Sequence, residues 1–161
     1  MSGEAVELRT PRLVLRQWRE ADRDPWAALN ADPEVMRHFA STLSRAESDH
    51  WLDVNRDQLA ERGWGLWAVD VVAADEPVRG FIGFVGLAVP TFEGPPFLPA
   101  VEVGWRLARS AWGRGYATEA AGAVVATACG RYRRLWATVR AWNEPSLRVL
   151  AKLGFTPTGR V

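Results

Sequence analysis

Cysteine, histidine, excess charge and long apolar runs are all scarce in this chain, and each scarcity closes off a class of function. A single cysteine, Cys129, excludes an internal disulfide and argues against a thiolate metal cluster. The two histidines, His38 and His50, fall in predicted helices with no second ligand at metal spacing, so both are expected at the surface or the core edge and no metal is expected. Lys and Arg number 20 against 19 Asp and Glu, with the signs mixed along the chain. A net charge of +1 offers no basic field to neutralise a run of phosphates, so nucleic acid is not expected as the main partner. No segment approaches the length needed to cross a bilayer, and the start Met1-Ser-Gly-Glu-Ala has neither the basic nor the apolar region of a leader. A cytoplasmic protein without membrane contact is expected. Internal repeats, low-complexity tracts and linkers are missing as well, which predicts one domain over residues 1–161.

What is present suits a globular fold: 48% hydrophobic and 24% charged residues, enough for a real core at this length. Nine tryptophans from Trp18 to Trp142 follow no common spacing and read as core and cleft fillers. The apolar run Leu-Val-Leu-Arg-Gln-Trp over 13–18, after the extended Thr10-Pro11 pair, predicts a first strand. Residues 22–30 and 33–39 read as two short helices, with Asp32-Pro33 between them. Ser44-Arg-Ala-Glu47 has capping-box spacing and opens a third helix that ends near Arg62-Gly63. Residues 66–72 and 81–87 predict an antiparallel hairpin. Gly80, Gly83 and Gly86 in its second strand signal a bulge or a close neighbour, helix or cofactor. The proline-rich segment 89–100 reads as an irregular loop, either a lid or a cover to the core.

A strand over 101–107 is followed by an alanine-rich helix pattern, in which Cys129 reads as a small buried residue, and by another strand near 135–139. That order makes two neighbouring strands parallel in an otherwise antiparallel sheet. The fold class is mixed α/β. Asn143 and Gly154 bracket a last helix. Between the strand at 101–107 and its helix lies Gly113-Arg114-Gly115, which offers unpaired backbone N–H groups to an anion, with roughly half a positive charge from the helix behind them. A dinucleotide turn fits poorly, because the third small position is Thr118 and no acidic residue ends the following strand. A Gly-x-Ser-x-Gly elbow and a Gly-Lys-Ser/Thr phosphate loop are both missing.

Four blocks in order carry a family resemblance: Leu8-Arg-Thr-Pro-Arg-Leu-Val-Leu-Arg; Glu102-Val-Gly-Trp-Arg-Leu; Trp112-Gly-Arg-Gly-Tyr-Ala-Thr-Glu-Ala; and Asn143-Glu-Pro-Ser with Lys152-Leu-Gly-Phe. Together they resemble the GNAT superfamily of acetyl-CoA-dependent N-acetyltransferases, within it the RimJ/RimL-like branch, over most of the chain. The resemblance implies a sheet splayed between the strands at 101–107 and 135–140, with the pantetheine arm added like a further strand. It implies that Gly113, Arg114, Gly115, Ala117 and Thr118 hold the CoA pyrophosphate, that Leu107 lies near the thioester, and that Asn143 contacts the pantetheine arm. Trp112 stands where the family motif has Gln or Arg. Arg114 is equally read as a plain surface arginine.

Amide formation needs a neutral amine, a stabilised oxyanion and a proton for the departing thiolate. Glu102, a carboxylate in an apolar strand, is the candidate base, the alternative being a structural ion pair with an arginine such as Arg106. Ser146 is the candidate proton donor to the thiolate; a first-turn serine is also common without catalysis. A bulge at Gly104 is expected to start the splay. The activity implied is transfer of acetyl from acetyl-CoA to a primary amine, on a protein N-terminus or a small molecule, by direct attack; the alternative is a silent acyl-CoA-binding module. Only Thr156-Pro-Thr-Gly-Arg-Val161 follows Gly-Phe155, where the family continues with two strands, so the sheet is expected to end a strand short with an edge that a second copy covers, as a homodimer.

Overall fold

The computed structural model describes residues 5–89 and 101–159. Five strands, β1 (Leu8–Arg9), β2 (Leu13–Arg16), β3 (Leu66–Val71), β4 (Gly80–Ala88) and β5 (Glu102–Leu107), form one sheet in sequence order, every neighbouring pair antiparallel. The helices are α1 (Arg23–Ala31), α2 (Arg45–Arg62), α3 (Tyr116–Ala128) and α4 (Glu144–Lys152). None of those helices is long and apolar enough to cross a membrane.

Local chemistry accounts for the element ends. Ser44 Oγ accepts the Glu47 N–H at 3.1 Å while the Glu47 carboxylate accepts the Ser44 N–H, the reciprocal capping box that the spacing predicts. Alternation along β5 then sets the layers. Arg106 points to Asn30 of α1 and Trp105 to Ser146 of α4, so α1 and α2 cover one face and α3 and α4 the other. On the α1/α2 face Trp18, Trp26, Trp51 and Phe84 meet edge-on or tilted at 4.5–5.8 Å, which makes the tryptophans core fillers as their lack of period implies. On the other face Ala120, Ala121 and Val124 are fully buried, small enough to bring α3 close to β4 and β5.

Several expectations change. Residues 33–39 form turns rather than a helix: the Asp32 carboxylate accepts the Glu34 N–H at 2.9 Å as a helix cap would, but the backbone bonds that follow are Met36 N–H to Asp32 O at 3.1 Å and Phe39 N–H to Met36 O at 2.9 Å, with no continuous ladder. The two-residue β1 was not expected; the Thr10 hydroxyl accepts the Leu13 N–H and closes the β1–β2 turn. The expected strand near 135–140 reduces to one bridge, Glu102 to Trp136, parallel as the topology requires. Val103 donates to Trp136 O at 2.8 Å and Trp136 to Val101 O at 3.0 Å, so contact is confined to the start of β5. No bulge occurs at Gly104, since β4 and β5 stay in register from Ala88–Glu102 to Gly83–Leu107; the irregularity lies between Val69 and Asp70 of β3. The close neighbour of Gly86 is main chain: a Cβ there would fall 2.0 Å from Gly65 O. Cys129 lies just past α3 and is exposed. In the predicted loop at 89–100, residues 90–100 lie outside the described residues.

Candidate active site

The turn from β5 into α3 is built around backbone conformation. After a short helical turn at Arg109–Ala111, Gly113 and Gly115 adopt φ of 71° and 80°, where a side chain would be strained. α3 starts at Gly115 without a side-chain cap. No backbone partner among the described residues takes the N–H groups of Gly113, Arg114, Gly115, Tyr116, Ala117 or Thr118. Unpaired donors at a helix start, with the helix dipole behind them, suit a phosphate-bearing ligand. The Arg114 side chain turns back, its Nε donating to Ser110 O at 3.2 Å. Trp112, exposed, donates its indole N–H to Leu107 O at 2.9 Å and fastens the turn to the end of β5.

A residue missed at the sequence level holds this cradle in place. Arg12, between β1 and β2, donates from Nη1 to Arg114 O at 2.9 Å and from Nε to the Glu119 carboxylate at 2.8 Å. Glu119 also accepts from the Thr10 hydroxyl at 2.6 Å and the Arg12 N–H at 3.2 Å. Burial pushes its pKa up, and those bonds outweigh burial and leave it below the ordinary carboxylate range. The Arg12 guanidinium lies 4.7 Å over the Tyr116 ring, and the Tyr116 hydroxyl donates to Glu76 at 2.6 Å. Thr10, Arg12 and Glu119 all stand inside the recognised blocks, but the separation of more than a hundred residues hid their contact.

Glu102 opens β5 and is partly buried. Burial raises its pKa, which a hydrogen bond from Thr138 Oγ1 at 3.3 Å partly offsets. The ion pair with Arg106 does not form; among the described residues Glu102 has no cationic partner. On the other face of β5, Trp105 Nε1 donates to Ser146 Oγ at 3.3 Å. That bond brings Ser146 to β5 and leaves the serine O–H free to donate. Asn143 Oδ1 caps α4 by accepting the Ser146 N–H at 3.3 Å, and its own NH₂ group has no partner among the described residues. Leu107 is buried at the far end of the strand. Glu102 and Leu107 therefore stand at opposite ends and on opposite faces of β5, Ser146 meets the face that Trp105 shares with Leu107, and Gly113, Arg114, Gly115, Ala117 and Thr118 lie around the turn. Thr138 and Trp105 were overlooked because a lone threonine and an indole in an apolar strand carry no motif. Among the described residues no cluster of three metal-ligating side chains exists.

Comparison with known proteins fits this geometry. The model of the acetyltransferase (GNAT) domain matches residues 12–156. The uncharacterized protein YkkB of Bacillus subtilis (strain 168) is 30% identical over 154 residues, spanning 92% of this chain and 84% of that protein. The crystal structure of an acetyltransferase from Agrobacterium tumefaciens str. C58 superposes with a TM-score of 0.77 at 26% identity, covering 97% of this chain and 86% of that one. RimL, a ribosomal-protein acetyltransferase solved in complex with coenzyme A, shares the fold at 18% identity, with a TM-score of 0.73 over 96% of this chain and 86% of its own. A strand ending in an open glycine cradle, matched across nearly the whole chain, makes this protein a member of the GNAT acetyltransferase family, whose reaction is acyl transfer from acetyl-CoA.

Proposed function

We propose that the protein is a cytoplasmic N-acetyltransferase that moves acetyl from acetyl-CoA to a primary amine by direct attack. The observation that carries it is the run of N–H groups from Gly113 to Thr118 without a backbone partner among the described residues, just past the end of the strand that carries Glu102. Acetyl-CoA supplies the activated acyl group. The main chain at Gly113, Gly115, Ala117 and Thr118 holds the pyrophosphate; the guanidinium of Arg114 sits beside it, drawn back to Ser110. Asn143 offers its amide to the pantetheine arm, and Leu107 lines the thioester end. Glu102, directly or through a water, takes the proton of the incoming amine, and its raised pKa suits a base working near neutral pH. The Ser146 hydroxyl, already accepting from Trp105, gives its proton to the departing thiolate. The chain is taken as one domain that pairs with a second copy along a sheet edge.

Thiol release from acetyl-CoA across a panel of amines tests the activity. Glu102→Gln is expected to lower kcat on the order of a hundredfold, the usual scale for a lost general base, with CoA affinity unchanged. An unchanged rate would remove Glu102 from the chemistry.

A further inference from the structure

The sheet carries two inward arginines, and their surroundings differ in one respect. Arg16 on β2 is buried and fully answered: Nε and Nη2 donate to Asp70 at 2.7 Å each, and Nη1 and Nη2 to Asp22 at 2.8 and 2.9 Å. Arg106 on β5 has no carboxylate within ion-pair distance among the described residues. Its Nη1 donates to Asn30 Oδ1 at 2.8 Å, and Asn30 in turn donates to Ser48 Oγ at 3.1 Å. Otherwise the guanidinium lies among aromatic rings, 4.2 Å from the centre of Phe39, 5.4 Å from Trp26 and 5.7 Å from Phe84.

Such rings attract a cation by about 0.5–2 kcal/mol each but satisfy none of its N–H donors. A buried donor left unmade costs about 1–3 kcal/mol. Among the described residues the buried side-chain polar atoms without a partner are Nε of Arg106, Nε1 of Trp26 and Nδ1 of His38, the first two in this box and the third on the residue next to Phe39. Burial lowers the Arg106 pKa to about 10, so it stays charged at neutral pH. Nη2 makes no hydrogen bond among the described residues and is not among these buried atoms, so the charged fork keeps an outward donor beside the buried Nε, which matches a carboxylate. Arg106 shares with Glu102 the α1-facing side of β5, about 13 Å along the strand at the usual rise. Ser146 meets the opposite side through Trp105. A group held by Arg106 would therefore belong to the molecule that meets the base.

We propose that Arg106 anchors a carboxylate on the acceptor, so that the substrate class is an amine that also bears a carboxylate, such as an amino acid. This rests on the acetyltransferase reading above, and direct binding separates the two. The probe is the ¹⁵N-labelled Nε–H signal of Arg106, assigned by its loss in Arg106→Lys, titrated with glycine, β-alanine and γ-aminobutyrate and with their amides in the presence of CoA. The acids are expected to shift the signal and the amides not. The better acid is expected to exceed its amide by about tenfold in kcat/KM, and Arg106→Gln to remove that difference through KM while CoA affinity holds. Should Arg106→Gln fail to fold, the acid-to-amide comparison on the unaltered protein decides. A signal that no carboxylate moves, equal turnover of acid and amide, or a preference for succinyl-CoA over acetyl-CoA would each overturn the assignment. A signal that shifts without any thiol release would leave the carboxylate site standing and overturn the acetyl transfer instead.

Discussion

At the residue scale, Glu102 and Arg106 stand on one strand, each without an ion-pair partner among the described residues. Burial disfavours the charged form of each, raising the carboxyl and lowering the guanidinium. For Glu102 the sign has two consequences. The base form is lost as pH falls through its raised pKa, so the acid limb of kcat/KM is expected above the ordinary glutamate value of about 4.3. A pH–rate profile checks this, and a limb at or below that value would contradict it. The native state also holds this proton more tightly than the unfolded chain, so Glu102 lowers stability as pH rises through that window. Glu102→Gln is therefore expected to raise Tm at neutral pH while it lowers turnover, seen by thermal unfolding beside the rate assay. On the opposite face, Trp105→Phe removes the indole donor to Ser146 and keeps an aromatic ring on the strand. If Ser146 is the thiolate-side acid, kcat should fall several-fold and KM for acetyl-CoA should move little.

At the element scale, the β1–β2 hairpin acts as a strut for the start of α3. Arg12 joins the hairpin, the Arg114 carbonyl and Glu119, so the cradle is held from outside its own loop. Arg12→Ala is expected to weaken CoA binding by about tenfold, by calorimetry, with a modest change in Tm, since the pair is only partly exposed and a surface pair contributes about 1 kcal/mol or less to stability. A loss of stability without a loss of affinity would make Arg12 structural only. The β3–β4 hairpin is constrained by contact: Gly86→Ala would set a Cβ against Gly65 O, and a loss of about 1–3 kcal/mol is expected in chemical denaturation. The α2 capping box and the termination at Gly63, φ 77°, were legible from local chemistry alone. The turn at 33–39 was not, because Val35, Met36 and Phe39 read as a helical pattern, whereas the buried pair Val35 and Met36 are adjacent residues held by tertiary packing and Phe39 is exposed.

At the scale of the whole molecule, the sheet separates two sets of side chains. Its α1/α2 face carries the aromatic core, Glu102 and Arg106; its α3/α4 face carries the cradle, Asn143 and Ser146. Arg16, with Asp22 and Asp70, ties β2, β3 and the approach to α1 into one unit. Asp22→Asn should weaken a buried charge pair and cost about 3 kcal/mol, measured by urea unfolding. The sequence by itself determined the elements whose signals are local: the capped α2, the β3–β4 hairpin, the small-residue face of α3, the glycine turn and the motif order that marks the family. Periodicity, capping and positive φ are properties of a few consecutive residues, so they survive in one dimension. Only the tertiary structure decided that the strand near 135–140 touches β5 at a single bridge, that Arg12 and Glu119 meet, and that Glu102 and Arg106 stay apart. Those outcomes depend on which side chains arrive at one place from distant parts of the chain, and on which buried charge is left without an answer.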